Sequence, residues 1–275
     1  MRTLCAMEQQ TIVDQFDTFL LDLDGVVYLG DAPLPGAPRF LQRLRDRRKT
    51  LRFLTNDPRP TRQDVAAGLN GYGIDARTEE IVTCGAATAA YLRENGFESV
   101  YVLGSDGLSQ EMEQSGLRLS NDDADVVVVG CDEGICYPDI RRASRLIYRG
   151  AEFVATNEDP TFPTPQGPAP ATGTILAAVR AASGREPVVV GKPNGAMFEA
   201  ALEGVDSEPA VMIGDRLDTD IAGARRHGLP GILVDHDGRA EPASSESDSE
   251  ERAHPDLFIS SLADLFEATL SGDAS

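Results

Sequence analysis

Lysine is nearly missing from this chain of 275 residues: of 25 basic residues only Lys49 and Lys192 are lysines, against 45 acids and a formal net charge of −20. So negative a surface repels nucleic acid and anionic membranes, which excludes both as partners. Long apolar runs are missing too. No stretch approaches the roughly 18 residues of a membrane span, and residues 1–10 lack the apolar block of a signal peptide, so a cytoplasmic protein is expected, with Met7 competing with Met1 as the start. Four cysteines (Cys5, Cys84, Cys131, Cys136) form no close CxxC pair, and the histidines (His227, His236, His254) all fall late. Neither a zinc site nor a disulfide framework is expected, and a reducing compartment fits. GxSxG is absent, and Gly71-Tyr72-Gly73 lacks the preceding strand and third glycine of a dinucleotide loop. His227, ahead of Gly228, reads as a helix C-terminal cap.

What is present is a set of short apolar runs that each end on a polar residue. Phe19-Leu20-Leu21 ends in Asp22-Leu23-Asp24-Gly25, and Leu51-Arg52-Phe53-Leu54 ends in Thr55-Asn56. Val188-Val189-Val190 ends in Gly191-Lys192-Pro193, and Ala210-Val211-Met212-Ile213 ends in Gly214-Asp215, with Asp218 and Asp220 close behind. Singly, each has a plain reading: an Asp-Gly turn, a strand-end hydroxyl, a turn before proline, acids at a helix N-terminus. Independent core strands, however, have no reason to end in the complementary set Asp, Thr, Lys, Asp. In a parallel sheet with right-handed crossovers these ends share one edge, where ligands bind. Arginine would serve an ordinary surface, so a lysine retained at 192 points to a specific task.

The order Asp…Thr…Lys…Asp, with its DxDG start and GDxxxxD finish, resembles the haloacid dehalogenase (HAD) superfamily of phosphatases. DLDGVVYLG, GKPN and GDRLDTDI are similar to its NagD-like, 4-nitrophenylphosphatase-like branch, over about Asp17 to Val234. The resemblance implies an α/β fold with a doubly wound, Rossmann-like parallel-sheet core and an inserted α/β cap. Spacing agrees. Asp22 and Thr55 lie 33 positions apart, and Lys192 and Asp215 lie 23 apart, one strand–helix–strand unit each. Thr55 and Lys192 are 137 apart, and that interval carries its own strand–helix alternation. The expected division is a core of 1–83 and 184–275 with a cap of 84–183. The proline-rich stretch 159–170 reads as a loop facing the cleft. The polar segment after Asp235, acid-rich within 241–252, reads as a surface loop ahead of a strand (257–260) and a helix (261–270).

The chemistry expected is phosphomonoester hydrolysis through an aspartyl-phosphate. Asp22 is the nucleophile and Asp24 the acid and base; a raised pKa would suit Asp24. Magnesium, which prefers hard oxygen ligands, would be held by Asp22 and Asp215, and the resemblance adds the Asp24 carbonyl. Asp220 orients that shell from behind, with Asp218 as companion. Thr55, the Asn56 amide and Lys192 cradle the phosphate, and the Gly25 amide points at it. Two rivals share the residue set. A receiver-type signalling domain would be a single compact unit without the second DxDG acid, and a non-catalytic phosphate-binding homologue would lack a carboxylate that this chain retains. The resemblance implies a small phosphomonoester substrate (sugar phosphate, phosphoglycolate, glycerol phosphate or nucleotide) and a homo-oligomer formed through the cap. The polar, acidic segment 157–162 favours hydroxyl-rich substrates. Asp57 stands where the family often has asparagine, and its carboxylate either faces solvent or trims affinity for anions. Strong acidity with scarce lysine is similar to proteins of salt-loving microbes, where salt screens self-repulsion; the plainer account is an ordinary acidic protein with one charged loop.

Overall fold

Apolar runs covered on both faces become parallel strands. In the computed structural model, which describes residues 11–162, 164, 166–205, 209–236 and 254–266, the short helix α1 (Ile12–Gln15) precedes β1 (Thr18–Asp22), buried along its whole length. A hairpin of β2 (Tyr28–Leu29) and β3 (Ala32–Pro33) leads to α2 (Ala37–Asp46), β4 (Thr50–Thr55), α3 (Arg62–Gly71) and β5 (Ile81–Thr83). Then follow α4 (Cys84–Glu94), β6 (Ser99–Leu103), α5 (Asp106–Gln114), β7 (Arg118–Leu119), β8 (Val126–Val129), α6 (Tyr137–Tyr148) and β9 (Glu152–Ala155). A second hairpin, β10 (Thr161–Phe162) and β11 (Ala169–Pro170), precedes α7 (Thr172–Ser183) and β12 (Val188–Val189). The order closes with α8 (Gly195–Leu202), β13 (Ala210–Gly214), α9 (Ala222–Arg226), β14 (Gly231–Val234) and β15 (Leu257–Ile259).

Six strands form one parallel sheet in the order β15-β14-β13-β1-β4-β5. β1 therefore has β4 on one side and β13 on the other, so all three carboxyl ends open at the switch point where open α/β sheets bind ligands. Successive side chains alternate between faces. Phe19, Leu21, Phe53 and Ile213 meet Phe40 of α2 and Leu69 of α3, whereas Leu20, Leu54 and Met212 meet Leu92 of α4 and Phe198 of α8. Each such side chain, fully buried, contributes about 1.5–3 kcal/mol. The second layer runs on without a break to Val100, Val126, Val128 and Val154 of a five-stranded parallel sheet, β12-β9-β8-β6-β7. The far face of that sheet is covered by α6 and α7.

Three expectations change. The strand before Lys192 pairs with β9 of the second sheet rather than joining the first, so the return crossing lies beyond Val189 and not near Gly184, which is the left-handed end of α7. β12 is an edge strand with Val188 exposed, so its apolar run did not signal a doubly covered core strand. The stretch 159–170 is not wholly irregular, since it holds the β10–β11 hairpin. The final helix is a 3₁₀ segment, Leu262–Phe266, and 267–270 lie outside the described residues, as do residues 1–10 and the acidic stretch 241–252. Among the described residues no helix is long and apolar enough to cross a membrane.

Candidate active site

Burial concentrates charge at the carboxyl end of β1. Asp22 is 7% exposed, Lys192 4% and Asp220 0%. Lys192 Nζ ion-pairs with Asp22 Oδ1 and stands 2.7 Å from Asp220 Oδ1. Burial tends to strip the Lys192 proton, but the two carboxylates outweigh it and hold the ammonium charged. Candidate ligand oxygens of Asp22, Asp215 and Asp220 all lie within 4.8 Å of one another. Burial, then the neighbouring acids, push the Asp22 carboxyl well up despite Lys192; burial and Asp220 bring Asp215 up to about 6. One ammonium cannot neutralise three carboxylates, and Asp215 Oδ1 is buried without a hydrogen-bond partner among the described residues. That orphaned oxygen and the hard, all-oxygen donor set fit a magnesium-type cation.

The backbone makes the cluster possible. A Cβ on Gly214 would collide with the Asp220 side chain, so glycine lets that carboxylate lie against the end of β13. Gly25 has φ +78°, and a Cβ there would meet the Asp215 carboxylate. Its N–H, expected to point at phosphate, instead donates to the Tyr28 carbonyl at 2.8 Å. Asp220 sits on a π-helical turn, Leu217–Ile221, of a kind that recurs at functional sites.

Asp24 stays outside the carboxylate cluster and opens on the cleft, where Tyr28 Oη lies 3.4 Å from its Oδ2. Loss of water around it, and then Asp57, raise its pKa. Thr55 is buried at the end of β4, its Oγ1 accepting from Asp57 N–H at 3.0 Å. The Asn56 side chain accepts from Lys192 N–H at 2.9 Å and donates to the Lys192 carbonyl at 3.1 Å, locking the lysine loop to β4. Asp218 is not brought to the cluster: it is exposed and pairs with Arg216 at 2.8 Å, a bond that lowers its pKa. The π-turn aims Asp220 inward and leaves Asp218 on the rim.

Several contacts went beyond the sequence reading. Asp57 grips Arg59 through two bonds of 2.8 Å, and the Arg59 guanidinium lies 4.4 Å from the Phe162 ring centroid. Asp57 therefore neither stands free in solvent nor acts as a bare negative charge. Arg216 binds Asp159 at 2.7 Å, and Asn56 donates to the same carboxylate at 2.9 Å. His236 Nε2 lies 2.7 Å from the Gly25 carbonyl, bracing the turn after β1. Arg216 stands within GDRLDTDI, but its partner Asp159 lies 57 positions away and carried no local signal, whereas Asp57 pairs with Arg59 two positions on. Cys131 is buried and Cys136 exposed, and both are free thiols. Between the two sheets lies a cavity of about 770 Å³, lined by Asp22, Asp24, Thr55, Lys192, Asp215 and, from the other side, Phe162.

Known proteins share this chain's sequence pattern and fold. A family model for haloacid dehalogenase-like hydrolases matches residues 19–118, and a HAD-hydrolase-like model matches residues 189–265. A dihydroxyacetone phosphatase of Corynebacterium glutamicum is 38% identical, covering 90% of this chain and 90% of its own. The glycerol phosphate phosphatase of Mycobacterium tuberculosis, solved in complex with magnesium, superposes with a TM-score of 0.84 at 34% identity, over 94% of this chain and 78% of that one. NagD from E. coli K-12 superposes with a TM-score of 0.79 at 32% identity, over 90% of this chain and 98% of that one.

Proposed function

We propose, on the premise that the chain belongs to the haloacid dehalogenase-like hydrolases in their NagD-like branch, that Asp22 is the nucleophile of a magnesium-dependent phosphatase of small, hydroxyl-rich phosphomonoesters. The chain is a hydrolase acting on phosphoric monoesters, as its relatives are. In the mechanism proposed, the Asp22 carboxylate forms a bond to phosphorus while the bond to the leaving oxygen breaks, and Asp24 gives that oxygen its proton. Water then attacks the phosphorus of the aspartyl-phosphate while Asp24 takes a proton from it, the bond from phosphorus to the Asp22 oxygen breaks, and inorganic phosphate departs with the Asp22 carboxylate restored. The upward pKa of Asp24 supports a proton at hand for the first step. Lys192, Thr55 and the Asn56 amide hold the transferring group. Magnesium, on Asp22, Asp215 and the Asp24 carbonyl with Asp220 behind, would supply the positive charge that offsets carboxylate–phosphate repulsion.

One observation supports this reading: Asp22, Asp215 and Asp220 cluster around one site where Lys192 pairs only with Asp22 and Asp220, and Asp215 Oδ1 has no hydrogen-bond partner among the described residues. For the substrate, Thr161, Thr164 and the carboxylates of Asp24 and Asp31 offer hydrogen bonds to hydroxyls, while Asp57 and Asp159 are already paired with Arg59 and Arg216. The names dihydroxyacetone phosphatase and glycerol phosphate phosphatase point the same way. The cap assignment of the inserted region, a cytoplasmic location and salt adaptation belong to the same reading. So does a homo-oligomer through the cap, where α6 exposes Tyr137 and Tyr148. The test is phosphate release from 4-nitrophenyl phosphate, glycerol phosphate, dihydroxyacetone phosphate and phosphoglycolate in molar KCl, with and without magnesium, beside Asp22→Asn. Magnesium-dependent release that vanishes in the variant is expected. Undiminished release by Asp22→Asn would reject the nucleophile.

A further inference from the structure

We propose that Asp159 is a positioning residue that couples the inserted region to the metal carboxylates by holding Arg216 away from Asp215. This rests on the reading that Asp22 and Asp215 bind a divalent cation. Arg216 follows Asp215 directly, and its own N–H donates to Asp220 Oδ2 at 3.2 Å, so its backbone is already part of the acidic cluster. Its side chain is not. Nη1 donates to Asp159 Oδ1 at 2.7 Å, while Nε and Nη2 donate to Asp218 at 3.1 and 2.8 Å. Two carboxylates outside the cluster thus occupy both edges of the guanidinium fork, and the cation stands on the rim of the cleft.

Of the two, Asp159 is the fixed one. Its Oδ2 accepts from Asn56, its N–H donates to Asn157 Oδ1 at 3.0 Å, and its carbonyl accepts from Gly173 N–H at 2.8 Å. It lies between β9 and β10, on the segment carried by the second sheet. Asp218 is mostly exposed and lies on the same loop as Arg216, so it moves with the arginine and cannot restrain it. Without the Asp159 charge, the guanidinium keeps only Asp218, and Asp215, its neighbour in the chain, offers a buried Oδ1 that has no hydrogen-bond partner among the described residues. A guanidinium there would occupy the place of the metal. Asp159 holds open a site to which it contributes no ligand, and the state of the inserted region becomes readable as metal affinity.

The experiment is a double-mutant cycle on the full-length protein, read by calorimetric titration of magnesium alone into wild type, Asp159→Asn, Arg216→Met and the pair. Asp159→Asn should weaken magnesium roughly tenfold or more, within the range seen when groups supporting metal ligands are removed. Arg216→Met should change affinity by less than about threefold in the wild-type background and restore it in the Asp159→Asn background, a coupling that independent sites do not show. Asp159→Glu, which keeps the charge, should retain most of the affinity. If Asp159 were only one more negative charge near the metal, Arg216→Met would tighten binding equally in both backgrounds, and the proposal would be overturned. Wild type that binds no magnesium would remove the metal reading along with this one; additive energies with tight wild-type binding would remove this one alone. Melting in EDTA reports whether each variant folds, and Asp159→Ser replaces the asparagine variant if that one does not.

Discussion

Replacing Lys192 by methionine would leave the acidic cluster without its cation. Lys192 lies between Asp22 and Asp220, both buried, with Asp215 alongside. Methionine keeps the apolar stem and removes only the charge. Breaking a buried ion pair by deleting one partner costs about 3–5 kcal/mol, because the remaining charge is left uncompensated. That is a large share of the roughly 5–15 kcal/mol that holds a domain folded. The loss should depend on pH with a definite sign. The folded pKa values of Asp22 and Asp215, the latter about 6, lie above the usual carboxylate range. Each group therefore favours folding below its unfolded pKa, and that contribution is lost as pH rises through the folded value. Without Lys192 the folded values climb further, so the deficit should be small near pH 5 and grow toward pH 8. Urea unfolding in EDTA across that range, with equal m-values in both proteins, measures it. Magnesium at a hundredfold its Kd should then return about 2.7 kcal/mol. A deficit below about 1 kcal/mol at pH 8, or one independent of pH, would refute the view that Lys192 is the cluster's compensating cation.

Asp24→Asn should lower phosphate release by a factor of about 100 to 10,000, the usual contribution of a general acid–base group, with magnesium affinity little changed by calorimetry; unchanged turnover would remove Asp24 from the proton path. Glu80 is held at about 2, burial working against it while Arg45 and Arg77 hydrogen bonds prevail. Its stabilisation is present above the unfolded pKa and lost as pH falls through the folded value, so Glu80→Gln should cost about 2–3 kcal/mol at neutral pH and flatten the acid limb of a melting-temperature profile. With a net charge of −20, the melting temperature should rise with KCl between 0.1 and 2 M; a flat profile would reject salt adaptation.

The strands that carry Asp22, Thr55 and Asp215 were legible because a strand buried on both faces writes a short apolar run, and a charge at its end then needs a reason. β12 writes a similar run, and only its pairing with β9 assigns it to the second sheet; local pattern holds no information about which neighbour a strand finds. The β10–β11 hairpin was invisible because two paired residues on each side leave no periodicity to read. Asp218 and Asp220 were separable only by the π-turn, which two acids spaced by one residue do not announce. Arg216 and Asp159 are 57 positions apart, beyond any local rule.

The apolar layer between the two sheets has a consequence for dissecting the protein. Leu20, Leu54, Met212 and Phe198 share one cluster with Val100, Val126 and Val154, so excising the inserted residues would turn a core face toward water. A truncated six-stranded half should aggregate instead of folding, and the intact chain should melt in one transition. The insert is then no detachable module: the sheet that carries Asp22 depends on it for part of its own core.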